Sequence, residues 1–160
     1  MSKIRDLPLN KPGQRALRRG RFSQAGQLYL LTMVTRDRLP VFRDYMLARR
    51  LVRCLFAGDL LSDCDCQAWV LMPDHFHGLI QLADGMALSS WVRLFKGRSA
   101  RHINAMAGCR GAFWQPGFHD HALRSDEDIK KVARYIIANP LRAGLVERIG
   151  DYPHWDCAWL

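Results

Sequence analysis

Two rhythms of apolar residues run along the chain. Leu28-Tyr29-Leu30-Leu31-Thr32-Met33-Val34 is a dense β-type run that predicts a first strand within 27–35, and the polar, proline-ended Arg36-Asp37-Arg38-Leu39-Pro40 breaks it. From Tyr45 to Phe56 the apolar positions Leu47, Leu51, Val52 and Leu55 recur at helical spacing, and Gly58 is the expected stop. Between Cys64 and Met72 the period drops to two, with Ala68, Val70 and Met72 on one face and Trp69 and Leu71 on the other. Pro73-Asp74 supplies a turn, and His75 to Leu82 returns as a second strand that Asp84-Gly85 closes, so the pair predicts an antiparallel hairpin.

Helical spacing resumes from Leu88 to Met106. Trp91, Val92, Phe95 and Ile103 form the apolar stripe, Arg93, Lys96, Arg98 and Arg101 occupy other faces, and Gly97 is a weak point. Residues 108–117 read as loop, and Phe118 to Leu123 as a short edge strand. Ser125 followed by Asp126, Glu127 and Asp128 looks like the capped, dipole-matched start of a helix that runs to about Asn139, where Pro140 should stop it. Leu141 to Val146 adds a turn around Gly144, and the tail residues Tyr152, Trp155 and Trp159 are expected to pack back on the domain. The order β-α-β-β-α-(β)-α predicts an α+β fold with a ferredoxin-like or RRM-like antiparallel sheet and helices packed on it.

Length and charge narrow the class. With 160 residues and 49% hydrophobic content the chain suits one domain over 27–160, preceded by a basic arm over 1–26. Lys plus Arg number 24 against 15 Asp plus Glu, a formal charge of +9, so the field of the folded protein favours a polyanion and makes nucleic acid the first candidate partner. No apolar run reaches the length of a membrane span, and Lys3, Arg5, Asp6 and Lys11 interrupt any signal-peptide core, so a cytoplasmic location is expected. The five cysteines then read as reduced thiols.

The candidate chemistry centres on Met72-Pro73-Asp74-His75-Phe76-His77-Gly78. On a strand, His75 and His77 leave the same face while Phe76 points into the opposite layer, which makes a two-nitrogen grip for a divalent metal with coordination positions left over. A half-buried, hydrogen-bonded pair without a ligand is the plainer alternative. Cys64-Asp65-Cys66 could be combined with these histidines into a zinc site, but its spacing is tighter than that of a zinc knuckle. A second pair, His119-Asp120-His121, falls on the expected edge strand and ranks below the first as a metal site. On the last long helix, Tyr135 and Asn139 are one turn apart, with Ile129, Val132, Ile136 and Ile137 available to seat the helix on the sheet. A tyrosine there is also an ordinary core residue with a wet hydroxyl.

The ordered set Val70-Leu71-Met72-Pro73-Asp74-His75-Phe76-His77, Lys96-Gly97-Arg98, Trp114-Gln115, Ala133-Arg134-Tyr135-Ile136 and Asn139-Pro140-Leu141-Arg142-Ala143-Gly144-Leu145-Val146, spanning Tyr29 to Trp155, resembles the REP-associated tyrosine transposases. These are relatives of the single-tyrosine insertion-sequence transposases within the HUH superfamily of single-strand nucleases. The resemblance implies the HUH nuclease fold, Tyr135 as nucleophile, and His75 and His77 as metal ligands. Related enzymes carry a glutamine one turn after the tyrosine as third ligand; Asn139 holds that position here, one methylene shorter, as is usual in the REP-associated branch. The implied cofactor is a divalent ion, Mn²⁺ or Mg²⁺, which suits neutral N/O ligation. The implied reaction is attack of the phenol on a phosphodiester, leaving a 5′-phosphotyrosine and a free 3′-hydroxyl. The implied partner is a single-stranded or hairpin DNA of REP type with a flanking guide sequence, bound by a monomer.

Phosphate contacts are expected from Arg15, Arg18, Arg19 and Arg21 in the arm and from Lys96, Arg98 and Arg101 on the second helix, with base stacking or edge contacts from Trp114, Gln115 or Phe118. Two functions of different class therefore stand at this point. One is a metal-dependent, tyrosine-using DNA nuclease and strand transferase; the other is a non-catalytic nucleic-acid-binding module of the same fold.

Overall fold

The computed structural model describes residues 26–56, 64–124 and 128–159. The basic arm with Arg15, Arg18, Arg19 and Arg21, and the Ser125 cap, lie outside them. Strands β1 (Leu28–Val34), β2 (Cys64–Met72), β3 (His75–Leu82), β4 (His119–Ala122) and β5 (Trp155–Cys157) form one antiparallel sheet in the order β4-β1-β3-β2-β5. The first four follow the ferredoxin-like arrangement expected from the apolar rhythm. The strand β5 was not expected: Trp155 extends the sheet, with Val70 opposite Trp155 and Ala68 opposite Cys157.

The sheet divides the protein into two layers. Helices α1 (Tyr45–Leu55) and α2 (Leu88–Ala107) cover one face. They enclose the larger core with Tyr29, Leu31 and Met33 of β1, Trp69 and Leu71 of β2, and Phe76, Ile80 and Leu82 of β3. Asp44 starts α1 by accepting hydrogen bonds from the backbone N–H groups of Met46 (2.8 Å) and Leu47 (3.1 Å). Gly108 ends α2 in the left-handed conformation, at φ 65°. Gly97 leaves α2 unbroken.

The other face carries a smaller core of Ala68, Val70, Met72 and Leu79 under Ala133, Ile136 and Ile137 of α3 (Ile129–Ile137). This helix is shorter than expected. Asp128 caps it by accepting from Lys131 N–H at 3.1 Å, and it stops at Ala138. Pro140 does not end the helical path but sits in the first turn of a separate α4 (Asn139–Arg142), where its missing N–H has no intrahelical acceptor to lose. Tyr135 and Asn139 therefore belong to consecutive helical pieces rather than to one.

The hairpin's register is anchored by Phe76, 1% exposed in the α1/α2 layer. Gly78 makes room for it, since a Cβ there would stand 2.7 Å from the Phe76 ring. With Phe76 committed to one layer, the pleat sends His75 and His77 to the other.

Candidate active site

His75 and His77 share the α3 face of the sheet with Leu79, and their rings meet edge to face at a centroid distance of 4.6 Å. Each ring has its Nδ1 occupied. The Asp74 carboxylate lies 2.5 Å from His75 Nδ1, and Thr32 Oγ1 of the neighbouring β1 lies 2.8 Å from His77 Nδ1. Thr32 stands opposite His77 in the ladder and is the one polar residue in the β1 run. Arg38, in a short turn at φ 54°, donates to the second Asp74 oxygen at 3.0 Å.

Burial raises the Asp74 pKa, but hydrogen bonds and charge from His75 and Arg38 outweigh it and hold the carboxyl below its ordinary range. An ionised Asp74 only accepts, so His75 Nδ1 carries the proton and Nε2 the lone pair. The Thr32 hydroxyl can fix the same tautomer in His77. Burial lowers the pKa of both imidazoles, His77 to about 3 with further depression from His75 and Arg142, so both are neutral at physiological pH. Neutral rings held at Nδ1 by oxygen partners suit divalent-metal ligation through Nε2. The residues present thus fit a cation, and no third His, Cys, Asp or Glu joins them in a ligand group among the described residues.

Tyr135 is half-buried on α3, over the same sheet face. The Arg142 guanidinium lies over its ring, 3.9 Å from the centroid. Arg142 also donates through Nη1 to the Tyr135 carbonyl at 2.9 Å and through Nη2 to Asn139 Oδ1 at 2.5 Å. Asn139 Nδ2 donates to the Ile136 carbonyl at 2.8 Å. The Asn139 oxygen is therefore shared with Arg142, and ligation of a metal would use its second lone pair. Tyr152 near the same sheet end is a different kind of phenol. Its hydroxyl donates to the Leu71 carbonyl at 2.7 Å, and burial pushes its pKa to about 12.

The other candidates divide. His119 stands opposite Thr32 on β4, so His77, Thr32 and His119 form one row across three strands of the same face. Gln115 joins them, lining a shallow notch with Thr32, Val34 and His119. Trp114, in contrast, is 6% exposed and faces the larger core against Phe42, Phe95 and Phe113. Its indole N–H donates to Ser99 Oγ at 2.9 Å, which removes it as a stacking surface for bases. Lys96 is also turned from its expected role: its ammonium donates to the carbonyls of Gln115, at 2.8 Å, and Gly117, and burial lowers its pKa to about 8. It pins the loop that carries Gln115 instead of projecting toward a phosphate. Arg98 and Arg101 lie in the α1/α2 layer, where they line a groove of about 340 Å³ with Arg50, Arg53, Cys54 and His102. Cys64 is opposite Leu82 and Cys66 opposite Ile80, at the end of the hairpin remote from His75, so the four residues cannot share one zinc ion.

Sequence reasoning passed over Thr32, Asp74 and Arg142. Thr32 and Asp74 had a readable signal, the first as a polar interruption of an apolar strand and the second as a carboxylate adjoining a candidate ligand. Arg142 falls within the Asn139–Val146 motif that carries the resemblance, which does not say what its side chain touches.

The chain belongs to the IS200-like transposase family, whose model matches residues 23–139. It is similar to the REP-associated tyrosine transposase of Escherichia coli K12, 31% identical over 91 residues covering 56% of this chain and 52% of that protein. It therefore spans about half the length of that relative. A putative REP-associated tyrosine transposase of Haemophilus influenzae is 27% identical over 147 residues, covering 81% and 78% of the two chains. Among solved structures, a REP-associated tyrosine transposase bound to a REP hairpin superposes with a TM-score of 0.64 at 25% identity, covering 84% of this chain and 79% of that one. No helix among the described residues is long and apolar enough to cross a membrane.

Proposed function

We propose that the protein is a metal-dependent single-stranded DNA endonuclease and strand transferase that acts as a monomer on REP-type hairpins with a flanking guide sequence. Tyr135 is its nucleophile, and His75 and His77, with Asn139, hold Mn²⁺ or Mg²⁺. The observation that supports this reading most is the shared sheet face. The two imidazoles and the tyrosine helix lie on the same side, and the Arg142 charge, held over the Tyr135 ring, lowers the His77 pKa. Kinship to proteins named for REP elements, and likeness to one bound to a REP hairpin, support the substrate class.

The chain's own groups then divide the work. Asp74 and Thr32 orient the imidazoles, and α3 presents the phenol over the same face. When bound, the cation would polarise a non-bridging phosphate oxygen and neutralise charge developing on it. Tyr135 Oη forms a bond to phosphorus and gives up its proton, while the P–O3′ bond breaks and the 3′-oxygen gains a proton as the free hydroxyl. The 5′-phosphotyrosine keeps the phosphodiester's energy, so a 3′-hydroxyl attacking it rejoins DNA and releases the phenol without an activated water.

Incubating the protein with end-labelled REP-type hairpin DNA and Mn²⁺ should give a denaturant-stable adduct that disappears in Tyr135→Phe. Hairpin binding with no adduct in the parent protein would instead support a non-catalytic binding module.

A further inference from the structure

We propose that Arg142 is the positioning residue of the tyrosine, a clamp that fixes the phenol ring and the Asn139 amide relative to each other across the break between α3 and α4. This rests on the reading of Tyr135 as nucleophile given above. The break gives such a clamp a task. Ala138 ends α3, so no continuous helical hydrogen-bond ladder holds the Tyr135 turn and the Asn139 turn in one geometry. The Asn139 amide itself bridges the gap by donating to the Ile136 carbonyl at 2.8 Å, and the Arg142 side chain ties Tyr135 to Asn139 with three contacts. Its Nη1 donates to the Tyr135 carbonyl at 2.9 Å, its Nη2 donates to Asn139 Oδ1 at 2.5 Å, and its Cζ lies over the Tyr135 ring, 3.9 Å from the centroid.

A guanidinium suits this task and an ammonium does not. Its planar fork presents two N–H groups in fixed directions while its face stays free to stack on an aromatic ring. A half-buried tyrosine beside a small core gains a fixed ring position from a cation held over its face. Holding one rotamer in advance keeps the nucleophile near its attack geometry before DNA arrives. Asn139, shorter than a glutamine, has less reach, so its Oδ1 also gains from being held. Because Arg142 is exposed and outside both cores, its removal leaves the fold's main packing untouched.

The test uses the full chain in three forms, Arg142→Ala, Arg142→Lys and Tyr135→Phe, with REP-type hairpin DNA and Mn²⁺. Single-turnover adduct formation at saturating DNA should slow about ten- to hundredfold in Arg142→Ala, as expected for a misplaced nucleophile, with hairpin affinity changed by less than about twofold. Arg142→Lys should bind hairpin like the parent yet stay slow, since it keeps the charge and loses the fork. Ring-¹³C tyrosine NMR of the DNA-free protein supplies a readout independent of activity. The Tyr135 signal, assigned by its loss in Tyr135→Phe, should shift and broaden in both Arg142 variants while the other tyrosines stay put. A parent-like rate in Arg142→Ala, full rescue by lysine, weakened hairpin binding with an unchanged saturated rate, or an unmoved Tyr135 signal would each overturn the clamp. If Tyr135→Phe still forms adduct, the nucleophile assignment fails first, and that outcome is distinct from a failure of the clamp alone.

Discussion

The two faces of the sheet are built from the same strands by different rules. The α1/α2 face holds the larger core, with Phe76, Leu31 and Leu71 at or near complete burial, and its polar features are arginines on the outer helix surfaces. The α3 face has a smaller core, and the sheet end beside it carries polar side chains: Thr32, His75 and His77, with His119 and Gln115 at the margin. Alternation links them: every residue that secures Phe76, Gly78 and Ile80 in the large core also fixes where His75 and His77 point. One face holds the larger core and the other presents the paired imidazoles, with Asp74 fixing the His75 tautomer and Thr32 hydrogen-bonded to His77 Nδ1.

If that division is right, substitutions on the two faces should separate rate from binding and from stability. The largest effect is expected from His77→Ala, which removes one of the two proposed imidazole ligands. Adduct formation at saturating DNA should fall by about a thousandfold or more, the scale of several kcal/mol of charge stabilisation, and EDTA should do the same to the parent protein. Hairpin affinity measured by fluorescence anisotropy should stay within about twofold. Thr32→Val keeps His77 but takes away its Nδ1 partner. Isothermal titration with Mn²⁺ should show affinity weakened about ten- to hundredfold, the usual cost of losing an outer hydrogen-bond partner.

On the other face, replacing Arg98 and Arg101 together by alanine should reduce the slope of log affinity against log salt by about two, without changing the single-turnover rate once DNA saturates. A changed saturated rate would mean that the two faces are not separable. The smallest effect is expected from Trp114→Phe, which deletes the indole donor to Ser99. It should cost about 1–2 kcal/mol in urea unfolding and leave hairpin affinity unaltered, because the ring is core rather than platform.

Most of the architecture was legible because apolar spacing is set by burial. β1, the β2–β3 hairpin, α1, α2 and the edge strand β4 fall where the rhythm of Leu28–Val34, Ala68–Met72 and Trp91–Ile103 indicates. The departures have specific causes. β5 is three residues long and gives no period to read. Pro140 reads as a terminator, and α3 does stop at Ala138 just before it, but the first turn of a helix tolerates proline, so a separate α4 follows at once. Trp114 beside Gln115 looked like a stacking pair, but its partner is Ser99, a helix residue whose hydroxyl gave no sign of facing inward. The charge of Lys96 points to phosphate, whereas its anchoring to the 115–117 backbone is a tertiary fact. At the site, the period of two put both histidines on one face, whereas placing α3 over that same face needed the three-dimensional packing of Ala133, Ile136 and Ile137 on Val70 and Leu79.

The claim on which the rest turns is that Tyr135, and no other phenol, takes the phosphate at a centre that needs the imidazole pair. Adduct formed on a REP-type hairpin with Mn²⁺ can be digested with nuclease and trypsin and its phosphopeptide sequenced by mass spectrometry. The account predicts nucleotide remnant on the peptide from Tyr135 to Arg142 in the parent protein, and none in His75→Ala. Modification at Tyr152 or another residue, or an undiminished Tyr135 adduct in His75→Ala, would contradict it.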